Sequence, residues 1–174
     1  MCIRDRGYGL SQAMIEHAKK LNAEIIITVD NGIASFAGVD KANELGIDVV
    51  ITDHHLQGDQ LPKAKYIINP NQSACSFASK NLCGAGVIFY LLLGIRRTLR
   101  ERDFFSKSKN ITEPNLMSLI DLVALATIAD VVPLDFNNRI LVHYGLRKIR
   151  SDQCNLGIKT VSYTHLTLPT ILRV

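Results

Sequence analysis

The chain contains no Cys-x-x-Cys pair; its four cysteines, Cys2, Cys75, Cys83 and Cys154, are scattered through 174 residues. That spacing excludes a zinc ribbon and a tight disulfide framework, so reduced, unpaired thiols are expected. No apolar run approaches the roughly 20 residues that cross a bilayer. The longest, around Val87 to Leu93, has the length of a helix core. The start lacks the basic, apolar and small-residue segments of a secretory signal, which makes a cytoplasmic protein with no membrane partner the expectation. Internal repeats and low-complexity linkers are also missing. Neither sign of charge dominates: the net charge is +4. Without Arg4, Arg6, Arg173 and Asp5 near the ends it falls to +2, too small a balance to argue for nucleic acid.

What remains is the composition of a soluble globular domain, 47% hydrophobic and 21% charged. Residues 1–6 and 161–174 show neither periodicity nor capping logic and are expected to be extraneous. Residues 7–160 are then expected to form part of one catalytic domain, an interior piece of a longer chain.

Ser11 is placed to cap a helix running to about Leu21. Glu24 to Val29 follows, β-branched and apolar throughout, and predicts a strand buried on both faces. Asp30-Asn31-Gly32 makes a turn, Ser35 is placed to cap a second helix, Gly46 ends it, and Ile47 to Thr52 predicts a second strand. This is a βαβ unit, whose right-handed crossover sets the two strands parallel with their carboxyl ends on one edge. Tyr66 to Asn69 predicts a third short strand stopped by Pro70. Gly84-Ala85-Gly86 opens a helix to about Arg100, residues 104–114 read as a charged loop, and helices are predicted over 115–129 and 137–149.

The chemistry collects at the strand ends, where open α/β sheets place their ligands. Asp30 ends the first strand and Asp53-His54-His55 follows the second, 23 residues on. With Asp130, these residues make a mixed carboxylate and imidazole set suited to Mn²⁺, Mg²⁺, Fe²⁺ or Zn²⁺, with carboxylates favouring the harder ions. A carboxylate also bridges two cations, which a neutral imidazole does not, and cations about 3.5–4 Å apart clamp the oxygens of a phosphoryl transfer. Taken singly, Asp30 is as well explained as a turn acid and Asp130 better as a helix-end residue. Taken together with the two histidines, they point to a site. Gly84 and Gly86 bring helix N–H groups toward a phosphate or let two backbones approach closely. Arg139 is placed for a phosphate contact or a surface ion pair.

Thr28-Val29-Asp30-Asn31-Gly32, Thr52-Asp53-His54-His55 and Ala126-Thr127-Ile128-Ala129-Asp130-Val131-Val132-Pro133-Leu134 together resemble the DHH phosphoesterases. Gly7-Tyr8-Gly9-Leu10, Ile68-Asn69-Pro70-Asn71, Cys83-Gly84-Ala85-Gly86-Val87 and Asn138-Arg139 are similar to the branch that degrades single-stranded DNA. The resemblance covers about residues 7–160. It implies a parallel-sheet α/β domain with flanking helices, incomplete at its N-terminus. It further implies that Asp30 bridges two Mn²⁺ or Mg²⁺ ions, that His54 and Asp130 hold the second, that His55 contacts the scissile phosphate and that Asp53 orients an imidazole. The implied reaction is 5′→3′ exonucleolytic hydrolysis of single-stranded DNA in repair and recombination, by a protein expected to be monomeric at full length. One departure stands out: the family's Asp-x-Asp-x-x-Gly segment does not occur in this sequence. Its acids complete the first metal's shell, so the chain by itself is expected to be nearly inactive.

Overall fold

A computed structural model describes residues 9–107 and 110–164. The expected extraneous segment 1–6, most of the one at 161–174, and Cys2, Gly7, Tyr8 and Lys109 lie outside the described residues. The chain forms two compact units and passes from one to the other between Val87 and Ile88.

The first unit is the expected α/β arrangement. Its elements are α1 (Gln12–Lys20), β1 (Ile25–Val29), α2 (Phe36–Glu44), β2 (Asp48–Thr52) and β3 (Tyr66–Ile68), with α3 (Gly84–Glu101) starting at its end. The strands lie in the order β1-β2-β3 and are parallel throughout. Register runs from Ile25 beside Asp48 to Val29 beside Thr52, and from Val50 beside Tyr66 to Thr52 beside Ile68. The core gathers Leu10, Ile15, Val39, Ala42, Ile47, Val49 and Ile51, so the central strand is the buried one. Ser11 caps α1 as expected, accepting from the Met14 N–H.

Two expectations fail here. β1 is not buried on both faces, because it stands at an edge of the described sheet and Ile25, Ile27 and Val29 are exposed. Alternate side chains of a strand point to opposite faces, and only the face carrying Ile26 and Thr28 packs inward. Ser35 precedes α2 but its hydroxyl makes no cap; it accepts from the Leu10 N–H at 3.3 Å instead, tying the start of the described chain to α2.

The second unit is helical. The stretch expected as a loop contains a short helix, α4 (Phe104–Lys107). The helix expected over 115–129 begins as a 3-10 turn at Leu116–Leu119 and becomes α5 (Ile120–Ala129) only afterwards. Asn115 accepts from the Met117 N–H, so its local cap favours the tighter start. α6 spans Phe136–Arg150, capped by Asp135 on the Asn138 N–H. A further helix, α7 (Leu156–Thr164), was not expected and runs past residue 161. Gly145 lets α5 and α6 meet closely, since a Cβ there would lie 2.2 Å from the Ala124 Cβ. No disulfide joins the described cysteines, Cys75, Cys83 and Cys154.

Asp121 on α5 is fully buried and ties this unit together, accepting from the Lys148 ammonium at 3.0 Å and from the Asn155 N–H. Burial pushes its pKa up, but the Asn155 N–H and the Lys148 charge outweigh this and hold it below the ordinary carboxylate value. A depressed folded-state pKa gives stability that is present above the unfolded value, near 3.9, and is lost as pH falls through the folded one. Asp121→Asn is therefore expected to lower stability by about 1–3 kcal/mol at neutral pH. In urea unfolding the gap between the two proteins should narrow below about pH 4.

Candidate metal centre

The centre is built at the carboxyl edge of the parallel sheet. Asp30 directly follows β1, and its N–H donates to the Thr52 carbonyl at 3.0 Å, one step beyond the strand ladder. Its φ of 66° turns the chain sharply, a conformation that aspartate tolerates better than most residues. The Thr52 hydroxyl donates to the Thr28 carbonyl and the Thr28 hydroxyl to the Asn31 carbonyl, each at 2.6 Å. The two strand ends are thereby locked side by side.

Asp53 begins the loop after β2. It is 1% exposed. Its Oδ2 accepts from the Ile33 N–H at 2.9 Å, while its Oδ1 accepts from the N–H groups of His54 and His55 at 2.8 and 3.2 Å. The same oxygen lies 2.7 Å from His55 Nδ1. Burial raises the Asp53 pKa, yet the Ile33 N–H, the His55 ring and the two histidine N–H groups together hold it below the ordinary value. An anionic Asp53 keeps the His55 proton on Nδ1 and leaves Nε2 with its lone pair for a ligand.

His54 points the other way, with Nε2 3.0 Å from Asp30 Oδ1, and the two rings sit 4.5 Å apart, centroid to centroid. Asp30, His54 and His55 each bring a ligand atom within 4.8 Å of the others. One carboxylate and two imidazoles this close fit a divalent cation. The structure thus brings together three of the residues singled out in the sequence and sets Asp53 behind them.

The remaining candidates fall as follows. Gly84 abuts the site: a Cβ there would lie 2.3 Å from Asp30 Oδ1 and 2.4 Å from its Cβ. Gly86 is buried and its N–H faces Cys83 Sγ at 3.4 Å. Close packing therefore accounts for Gly84, whereas a Cβ at Gly86 would meet Leu82 and Cys83 only at ordinary contact distances of 3.4–3.7 Å. Asp130 belongs to the second unit, at the C-cap of α5, followed by Val131 with φ 54° and 85% exposure. Arg139 lies on α6 and donates from Nε to the Leu134 carbonyl at 2.8 Å. It lines a cleft of about 760 Å³ together with Ile128, Val142, Leu146, Arg147 and Arg150. Sequence reading missed the Ile33 N–H, the threonine locks and two asparagine amides, Asn69 and Asn71, on the histidine carbonyls. Only the Asn-Pro-Asn run directly after a strand signalled any of them.

Two substitutions test this geometry. Gly84→Ala forces Asp30 or the start of α3 to move and is expected to destabilise by about 1–3 kcal/mol in thermal unfolding. A β-branched residue at positive φ stores strain of order 1–3 kcal/mol, and Val131 has almost no burial to lose. Val131→Gly is accordingly expected to raise the unfolding midpoint; a fall would show that the Val131 backbone is unstrained.

Comparison with known proteins agrees with this architecture. The family model described as "DHH family, N-terminal domain" matches residues 2–127. The single-stranded-DNA-specific exonuclease RecJ of Salmonella typhimurium is 56% identical over 155 residues, covering 89% of this chain and 27% of that protein. RecJ of Bacillus subtilis is 37% identical, covering 88% of this chain and 17% of its own length. The chain therefore spans about a quarter or less of these relatives. A crystal structure of exonuclease RecJ bound to manganese superposes with a TM-score of 0.72 at 31% identity, over 91% of this chain and 37% of that one. RecJ of Thermus thermophilus in complex with Mn²⁺ gives 0.69 at 30% identity, over 88% and 21%. With the family model matched over most of its length and the Asp53-His54-His55 run at the sheet edge, this chain belongs to the DHH family.

Proposed function

We propose that this chain is part of the catalytic region of a divalent-cation-dependent exonuclease that hydrolyses single-stranded DNA from its 5′ end, in repair and recombination. The observation that carries the reading is the approach of Asp30, His54 and His55 to within 4.8 Å at the carboxyl edge of a parallel sheet. Relatives that share more than half of its aligned residues are single-stranded-DNA-specific exonucleases, and solved relatives hold manganese.

In this reading Asp30 and His54 would hold Mn²⁺ or Mg²⁺, and the motif around Asp130 would supply a further carboxylate ligand. The bound cations would neutralise charge on the phosphate and acidify water at neutral pH. His55 would face the scissile phosphate, and Asp53 would hold the direction of its ring. Arg139 would contact a phosphate of the DNA, beside Arg147 and Arg150, which line the same cleft. Gly84 serves packing against Asp30 in this scheme, and Gly86 remains a candidate for the substrate side of the helix start. A cytoplasmic, monomeric full-length protein completes it.

Calorimetric titration of the chain with Mn²⁺ is expected to show saturable binding that Asp30→Ala weakens at least about tenfold. In a protein of its relatives' full length, the same substitution should abolish nucleotide release from long single strands. Hydrolysis of dinucleotides alone would point to a different phosphoesterase, and no Mn²⁺ binding at all would favour a scaffold of the same fold.

A further inference from the structure

His54 and His55 are held from two sides. Their N–H groups both donate to Asp53 Oδ1. Their carbonyls point away from that carboxylate and meet two side-chain amides from another loop. Asn69 Nδ2 donates to the His55 carbonyl at 2.8 Å, and Asn71 Nδ2 to the His54 carbonyl at 2.5 Å. The sheet explains the meeting. β3 is parallel to β2 with Ile68 beside Thr52, so the first residue past β3 arrives where the Asp53 loop begins.

The amides are themselves fixed. Asn69 is 2% exposed, and its Oδ1 accepts from the Asn71 N–H at 2.8 Å, which determines which end of its amide faces His55. The Lys80 ammonium donates to the carbonyls of Pro70 and Cys75 at 2.7 and 2.6 Å, and Gln72 Nε2 to that of Ile67 at 3.1 Å. The loop carrying both asparagines is thus braced at several points.

Clamping consecutive peptide groups on both edges sets the backbone angles of the two histidines and so the direction of their rings. A side chain chosen for this must donate, stay neutral beside an acidic site and reach a carbonyl in a fixed orientation. Asparagine meets all three conditions; aspartate, of the same shape, does not donate when ionised. We propose that Asn69 and Asn71 are positioning residues of the cation site, aiming His54 and His55 by holding their carbonyls. The proposal rests on the metal reading of Asp30, His54 and His55.

Asn71, the less buried of the pair, gives the cleanest test. In Asn71→Ala the Mn²⁺ dissociation constant is expected to rise about 10–100-fold while unfolding stays cooperative. Histidine ring resonances in ¹H–¹⁵N correlation spectra of the metal-free protein should shift or broaden. Asn71→Gln, which keeps the donor on a longer arm, should recover part of the affinity. Asn69→Ala is expected to act alike on His55; should it fail to fold, Asn71→Ala still decides. A dissociation constant within roughly twofold of the unsubstituted protein, together with unmoved ring resonances, overturns the proposal. If the unsubstituted protein binds no Mn²⁺, the metal reading fails, and the ring resonances of Asn71→Ala alone decide the clamp: displaced rings support it and unmoved rings refute it.

Discussion

The buried carboxylate of Asp53 is the constraint on which the first unit's site depends. Taking a carboxylate out of water is unfavourable unless its lone pairs are filled. Here they are filled by N–H groups from Ile33, His54 and His55 and by the His55 ring. Each partner is thereby committed. The loop after β1 is tied down at Ile33, the chain after β2 folds back on its own first residue, and one imidazole receives a defined tautomer. Asp53, expected to orient an imidazole, bonds the His55 ring and ties down the loop at Ile33 as well.

Parallel sheets make such a site economical in sequence terms. Because strand ends share one edge, Asp30, the Asp53 loop and Asn69 meet although they are far apart in the chain. Each strand contributes the first residue or two beyond its ladder, where the backbone is free to turn. Asp30 does so at a positive φ, and the close approach of Gly84 gives its carboxylate a wall to rest on.

Much of this was legible beforehand because the signals are local. Alternating turn residues and β-branched runs mark β1, β2 and β3, and the acids and histidines at their ends follow from the connection rule alone. Several of the misreadings involve partners distant in sequence. Ser35 has the composition of a cap, yet the Leu10 N–H competes for its hydroxyl. An apolar strand such as β1 looks the same whether a neighbour covers it or not. The start of α5 is tightened by the Asn115 cap, and α7 follows a loop pinned by the buried Asp121, neither of which periodicity reports.

The sequence by itself determined the βαβ order, the parallel edge and the residue types suited to a divalent cation, since these depend on period, punctuation and ligand chemistry. Only the tertiary structure decided how the acid and histidines divide their work. Asp53 turns inward to saturate its oxygens and holds the His55 ring, His54 turns toward Asp30, and two asparagines from the loop after the next strand hold both histidine carbonyls. The physical reason is that a hydrogen bond needs distance and direction between groups remote in sequence, and those exist only once the strands are side by side.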